Sequence, residues 1–183
     1  MQHTQGSVIW ITGLSGAGKT TIGKAVHDTL AGRGERTVFL DGDEMRAVFD
    51  GGHKFDRESR LALALSYGRL CLMLARQGFT VVCATISMHR EVYAWNRAHL
   101  PGYAEVFLDV SADVRSGRDP KRFYAKVKDG ALSDFAGHNQ EVDLPAAPHV
   151  HIRPSPGETI QETVGRVMAG LDAARIAPKA EAG

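Results

Sequence analysis

Eight residues near the start of the chain, Gly13-Leu14-Ser15-Gly16-Ala17-Gly18-Lys19-Thr20, follow the spacing G-x-x-x-x-G-K-[ST]. The residue types suit a phosphate chain. Glycines let backbone N–H groups turn inward around a β-phosphate, Lys19 supplies a point charge to the β- and γ-phosphates, and the Thr20 hydroxyl can ligate Mg²⁺. The expected ligands are ATP or GTP together with Mg²⁺, held by Gly13, Ser15, Gly16, Ala17, Gly18, Lys19, Thr20 and the adjoining Thr21.

A nucleotide site alone does not say what becomes of the γ-phosphate, and a second cluster bears on that. Asp41 and Asp43 stand two apart at the end of an apolar run, Thr37-Val38-Phe39-Leu40. One carboxylate there can hold a magnesium-bound water while the other reaches an acceptor hydroxyl and takes its proton. This is the arrangement of a kinase acting on a small molecule. An Asp-Gly-Asp turn that merely caps a helix is the plainer alternative. A GTPase would also carry an Asn/Thr-Lys-x-Asp segment after a later strand, and none occurs in the sequence.

These groups need elements to position them. Ser7 to Thr12 reads as a short buried parallel strand, and Lys19 to Arg33, with Ile22, Val26 and Leu30 four apart, as a helix closing at Gly34. Thr37 to Asp41 is the next strand. A helix from about Arg57 to Gln77 ends at Gly78, before a strand at Phe79 to Thr85. A helix from about His89 to His99 stops at Pro101, and Ala104 to Val110 is a fourth strand. Arg118 to Gly137 is basic and irregular and reads as a mobile lid that closes over phosphates. A short strand at about His149 to Ile152, a helix at about Gly157 to Ala174 and a frayed tail from about 177 complete the chain. Alternating strands and helices predict right-handed crossovers and a parallel sheet of about five strands covered on both faces, with ligands beyond the carboxyl ends of the strands.

Composition narrows the function further. The 183 residues amount to a single domain, 43% of them apolar and 23% charged, which is ordinary globular usage. With 22 Lys+Arg against 21 Asp+Glu the net charge is +1, so no global field draws the chain to nucleic acid or an acidic membrane. No signal peptide or membrane-length apolar run is evident, and Cys71 and Cys83 sit among apolar neighbours as reduced core thiols, so a cytoplasmic setting is expected. His149 and His151 lack a third ligand at metal-site spacing.

Four motifs come in order: Gly13 to Thr21; Leu40-Asp41-Gly42-Asp43 with Arg46; Ile86-Ser87 with Arg90; and Arg118-Asp119-Pro120-Lys121 with Tyr124. Over about Val8 to Ile152 this series resembles the adenylylsulfate (APS) kinase family. The resemblance implies an α/β fold of the P-loop NTPase type and transfer of the ATP γ-phosphoryl group to the 3′-hydroxyl of adenylyl sulfate. It implies Asp43 as base, Asp41 near the magnesium and Arg118 with the ATP. Arg46, Arg60, Ile86, Ser87 and Lys121 would line the acceptor site, with Phe55 and Phe135 sandwiching the acceptor base, a sequence-tolerant contact of about 1–3 kcal/mol per base. Whether two copies pair as a homodimer is left open.

Departures from the family pattern concern the acceptor. Where the family's long helix carries Asp-Arg-x-Glu-Asn-x-Arg-Arg, this chain has Ser59-Arg60-Leu61-Ala62-Leu63-Ala64-Leu65-Ser66, retaining only Arg60. Each lost charge-assisted contact removes on the order of 1.5–3 kcal/mol. Met88 replaces Pro, Arg122 replaces Gly, and Asp134-Phe135-Ala136 replaces Gly-Phe-Thr. Adenylyl sulfate and another small nucleotide, such as the acceptor of the similar cytidine diphosphoramidate kinases, are therefore both expected acceptors. A nucleotide-binding regulator without transfer activity is the alternative of another class.

Overall fold

The computed structural model describes residues 5–49, 56–117, 142–155 and 157–174. Five strands form one parallel sheet in the order β2-β3-β1-β4-β5, with β1 at Val8–Thr12, β2 at Thr37–Asp41, β3 at Thr80–Ala84, β4 at Tyr103–Leu108 and β5 at Val150–Ile152. Every residue of β1, β3 and β4 is buried. Their largely apolar runs are what a strand covered on both faces requires. The sheet and its number of strands agree with the reading of the sequence.

Alternate residues of β1 feed two cores. Ile9 and Ile11 pack with Ile22, Val26 and Leu30 of α1 (Lys19–Gly32) and with Val164, Val167 and Met168 of the last helix, α6 (Ile160–Ala173). Val8 and Trp10 turn the other way, into a core with Leu63, Tyr67 and Cys71 of α3 (Arg57–Arg76) and Val92 of α4 (Arg90–His99). Full burial of each such aliphatic side chain contributes about 1.5–3 kcal/mol. Local signals set the helix starts: the Asp56 side chain accepts the Ser59 N–H at 2.8 Å before α3, and Thr159 and Glu162 form a reciprocal capping box before α6.

Two helices were not foreseen. Asp43 does not lie on the strand but in the first turn of α2 (Gly42–Phe49), and α5 occupies Ala112–Gly117. An eight-residue helix opening on glycine has little intrinsic propensity; the Asp41 carboxylate caps it, and Met45 buries against α3. The lid assigned to 118–137 and the tail from 177 lie outside the described residues.

One fully buried carboxylate interrupts the second core. Glu105 of β4 takes two hydrogen bonds from Arg97 of α4, at 2.9 and 3.3 Å, and one from the Tyr103 hydroxyl at 2.9 Å. Arg97 also donates to the Ala147 carbonyl at 2.8 Å, fastening the segment that leads into β5. The two histidines set aside as metal ligands are structural here. His149 Nδ1 accepts the Glu105 amide at 3.0 Å, and His151 lies 2.9 Å from the Asp109 carboxylate.

Cys71 and Cys83 are both free and completely buried, and burial pushes the Cys83 thiol well up. Native protein treated with a thiol reagent at neutral pH should therefore react at neither sulfur, while denaturant should release both. Rapid stoichiometric labelling of the native chain would contradict the closed core.

Candidate active site

The carboxyl ends of β1, β2 and β3 open into a cavity of about 590 Å³. Its floor is the loop between β1 and α1. Gly16 and Gly18 have φ of 76° and 86°, a left-handed conformation that side chains resist, and these turns bend the loop back on itself. No side chain caps the first turn of α1, so the positive end of the helix faces the cavity, as an anion site requires. Lys19 closes the loop by donating from Nζ to the Leu14 carbonyl at 2.9 Å. Burial lowers its ammonium to about 8, against the opposing pull of Asp43 and Asp41.

Thr20 and Asp41 meet although they belong to different elements. The Thr20 hydroxyl donates to Asp41 Oδ2 at 2.6 Å, and Asp41 Oδ1 accepts the Asp43 amide at 2.8 Å. Asp41, nearly buried, thus holds both the start of α1 and the start of α2. A hydroxyl and a carboxylate at this distance are hard oxygen donors of the kind that hold Mg²⁺ alongside water. Asp43, beside Lys19 and on the same cavity, can accept a proton from a hydroxyl placed between them.

The far wall comes from α2, α3 and the turn after β3. Arg46 and Arg60 line it, as do Ile86 and Ser87, so the structure gathers these four with Ser15 to Thr21, Asp41 and Asp43 around one space. Ser87 has φ of 30°, the only positive value at a non-glycine among the described residues, and its hydroxyl lies 2.8 Å from that of Thr85. Such strained backbone concentrates at functional sites. Gly13 stands behind the wall, where a Cβ would lie 2.7 Å from the Leu108 carbonyl oxygen. Phe55, Arg118, Lys121 and Phe135 lie outside the described residues.

Several lining residues escaped the reading of the sequence: Tyr67 and His89 on the far wall, and Pro154, Glu158, Ile160 and Thr163 on the side of α1. Tyr67 lies one helical turn from Leu63 and Ala64, so the 3.6-residue period of α3 could have found it. The others are single residues without local pattern. Leu63 and Ala64 do form the apolar part of the wall, as their departure from the family pattern suggested.

Comparison with known proteins agrees with this geometry. Residues 5–153 match the family model of adenylylsulphate kinase. The cytidine diphosphoramidate kinase of Campylobacter jejuni is 36% identical over 140 residues, covering 76% of this chain and 82% of that protein. An adenylyl-sulfate kinase of Burkholderia ambifaria is 35% identical over 177 residues, covering 94% and 98%. The structure of the Mycobacterium tuberculosis APS kinase in complex with AMPPNP and APS has a TM-score of 0.83 at 28% identity, covering 92% of this chain and 98% of that one. No helix among the described residues is long and apolar enough to cross a membrane.

The two left-handed glycines should respond differently to a methyl group. Around Gly18 nothing would touch an added Cβ, so Gly18→Ala should lose only the conformational cost, about 1–2 kcal/mol in urea unfolding. At Gly16 the Cβ would also lie 3.0 Å from the Arg115 carbonyl oxygen, and Gly16→Ala should lose more. Equal losses would mean that α5 does not press on the loop.

Proposed function

The chain belongs to the adenylylsulphate kinase family, and we propose that it transfers the γ-phosphoryl group of ATP to a ribose hydroxyl of a small nucleotide. The supporting observation is the single cavity shared by the glycine loop, the two aspartates and the Arg46–Arg60 wall. Donor and acceptor can then meet at the carboxylates, where positioning and charge stabilisation do most of the work of phosphoryl transfer.

Lys19 exchanges the Leu14 carbonyl for phosphate oxygens, and the inward amides from Gly16 to Thr20 hold the chain of phosphates in line. Asp43 accepts the proton of the ribose hydroxyl as its oxygen attacks the γ-phosphorus, and ADP departs with the electron pair of the broken P–O bond. Thr20 and Asp41 would hold Mg²⁺, which when bound supplies charge neutralisation at the β- and γ-phosphate oxygens. Arg46 and Arg60 face the acceptor's anionic tail. In the same reading Arg118 serves the ATP, Lys121 the acceptor, and Phe55 and Phe135 stack on the acceptor base.

Two acceptors follow from the relatives. Adenylyl sulfate is named by the Burkholderia enzyme and is bound in the Mycobacterium structure. Cytidine diphosphoramidate is named by the Campylobacter enzyme, and the apolar stretch at Leu63 and Ala64 favours an acceptor with fewer charged contacts from α3.

Release of ADP from ATP and Mg²⁺ in the presence of each acceptor is the direct assay. One of the two should be turned over, and Asp43→Asn should lower kcat by about 10²-fold or more while ATP affinity changes little. Full activity in Asp43→Asn would remove that residue as the base, and inertness of the unsubstituted chain toward every nucleotide acceptor would remove the kinase reading.

A further inference from the structure

Arg115 stands on α5 behind the phosphate loop and is only 8% exposed, although it carries a full charge. Its amide donates to the Ser111 carbonyl at 3.0 Å, in the first turn of the helix. Its guanidinium joins two stretches of backbone: Nε donates to the Val110 carbonyl at 3.0 Å, just past β4, and Nη1 to the Ser15 carbonyl at 3.4 Å, in the loop between β1 and α1. A buried cation is costly unless hydrogen bonds and nearby negative charge offset its lost hydration. The carbonyls meet part of that need, and an anion held by the loop meets more.

The Ser15 contact fixes a direction. In a planar trans peptide the C=O and the N–H point opposite ways. The unit whose oxygen faces Arg115 therefore aims its N–H, that of Gly16, away from α5 and toward the cavity that Ser15 and Gly16 both line. The backbone of Arg115 packs against the same place: a Cβ built on Gly16 would lie 3.0 Å from the Arg115 carbonyl oxygen and 3.3 Å from its Cβ. Glycine restrains its own peptide less than any other residue, so the orientation of this unit needs a hold from outside. Lys19 grips the preceding carbonyl, that of Leu14, at 2.9 Å. That grip is given up when phosphate arrives, whereas Arg115, acting from behind, keeps its carbonyl.

We propose that Arg115 is a positioning residue for phosphate binding: by gripping the Ser15 carbonyl from behind, it aims the Gly16 N–H at the β-phosphate of the donor nucleotide. The inference deepens the nucleotide-kinase reading above and rests on it. Arg115 touches no reacting atom. The β-phosphate stays in the loop from the bound donor through the transition state, so the aimed N–H serves both alike. Its loss then shows in the affinity for the donor and hardly in kcat.

The test compares the unsubstituted chain with Arg115→Met and Arg115→Lys, measuring the binding of ADP with Mg²⁺ by calorimetry and, in parallel, turnover of ATP with whichever of adenylyl sulfate or cytidine diphosphoramidate is accepted. Methionine keeps the length of the stem but cannot donate. Arg115→Met should weaken ADP by about tenfold or more, the worth of one charge-assisted hydrogen bond to phosphate. The KM for ATP should rise by a similar factor, while kcat and the acceptor KM stay within about threefold. Arg115→Lys restores a charged donor and should recover part of the loss, not all of it, since an ammonium lacks the fork that spans both carbonyls. Thermal unfolding without nucleotide reports whether each variant folds. Should Arg115→Met not fold, Arg115→Lys carries the test, with ADP weakened about threefold and kcat unmoved. Unchanged ADP affinity in a folded variant, or an equal weakening of the acceptor, would overturn the role of Arg115 and leave the kinase reading standing. ADP binding by an unsubstituted chain that turns over neither acceptor would count against the kinase reading alone, and failure to bind ATP or ADP at all would overturn both.

Discussion

A hydroxyl at the start of α1 and a carboxylate at the end of β2 are 2.6 Å apart, although β3 separates β2 from β1 in the sheet. Much of the site's geometry depends on that contact. With one oxygen Asp41 holds Thr20 and with it the phosphate loop; with the other it holds the amide of Asp43 and so starts α2. The position of Asp43 is thus inherited from Asp41. The charge-assisted bond is short because the carboxylate is nearly buried, where hydrogen bonds gain from a lower dielectric.

What could be read in the sequence was what local chemistry determines. The glycine loop announces itself because its glycines, lysine and hydroxyl are contiguous, and β1, β3 and β4 do so because strands covered on both faces are largely apolar. Asp41 and Asp43 were legible as a pair. That Asp43 sits on a helix was not, since α2 is made stable by a carboxylate from the strand before it and by the burial of Met45, both tertiary effects. The positive φ of Ser87 has no counterpart in residue type, serine being neutral on the matter.

The two faces of the sheet divide the labour. The face packed by α1 and α6 is apolar and supports the phosphate loop from behind, with Leu108 and Val110 continuing the core toward it. The opposite face must carry both a core and an acceptor wall, and α3 serves both: Tyr67 and Cys71 fill the interior while Arg60, Leu63 and Ala64 border the cavity. The polar cluster of Glu105, Arg97 and Tyr103 lies on this busier face, joining α4 and β4 to the segment before β5. Removing the arginine alone would strand a buried carboxylate, so the cluster holds together or fails as a unit.

The brevity of β5 has a consequence for behaviour at high concentration. Only three residues form this margin of the sheet, and His149, His151 and Arg153 are engaged with Glu105 and Asp109. A strand from another molecule would find few free backbone groups to pair with before meeting charge and bulk. On this side the sheet resists the edge-to-edge growth from which fibrils are built, a protection to which shortness itself contributes.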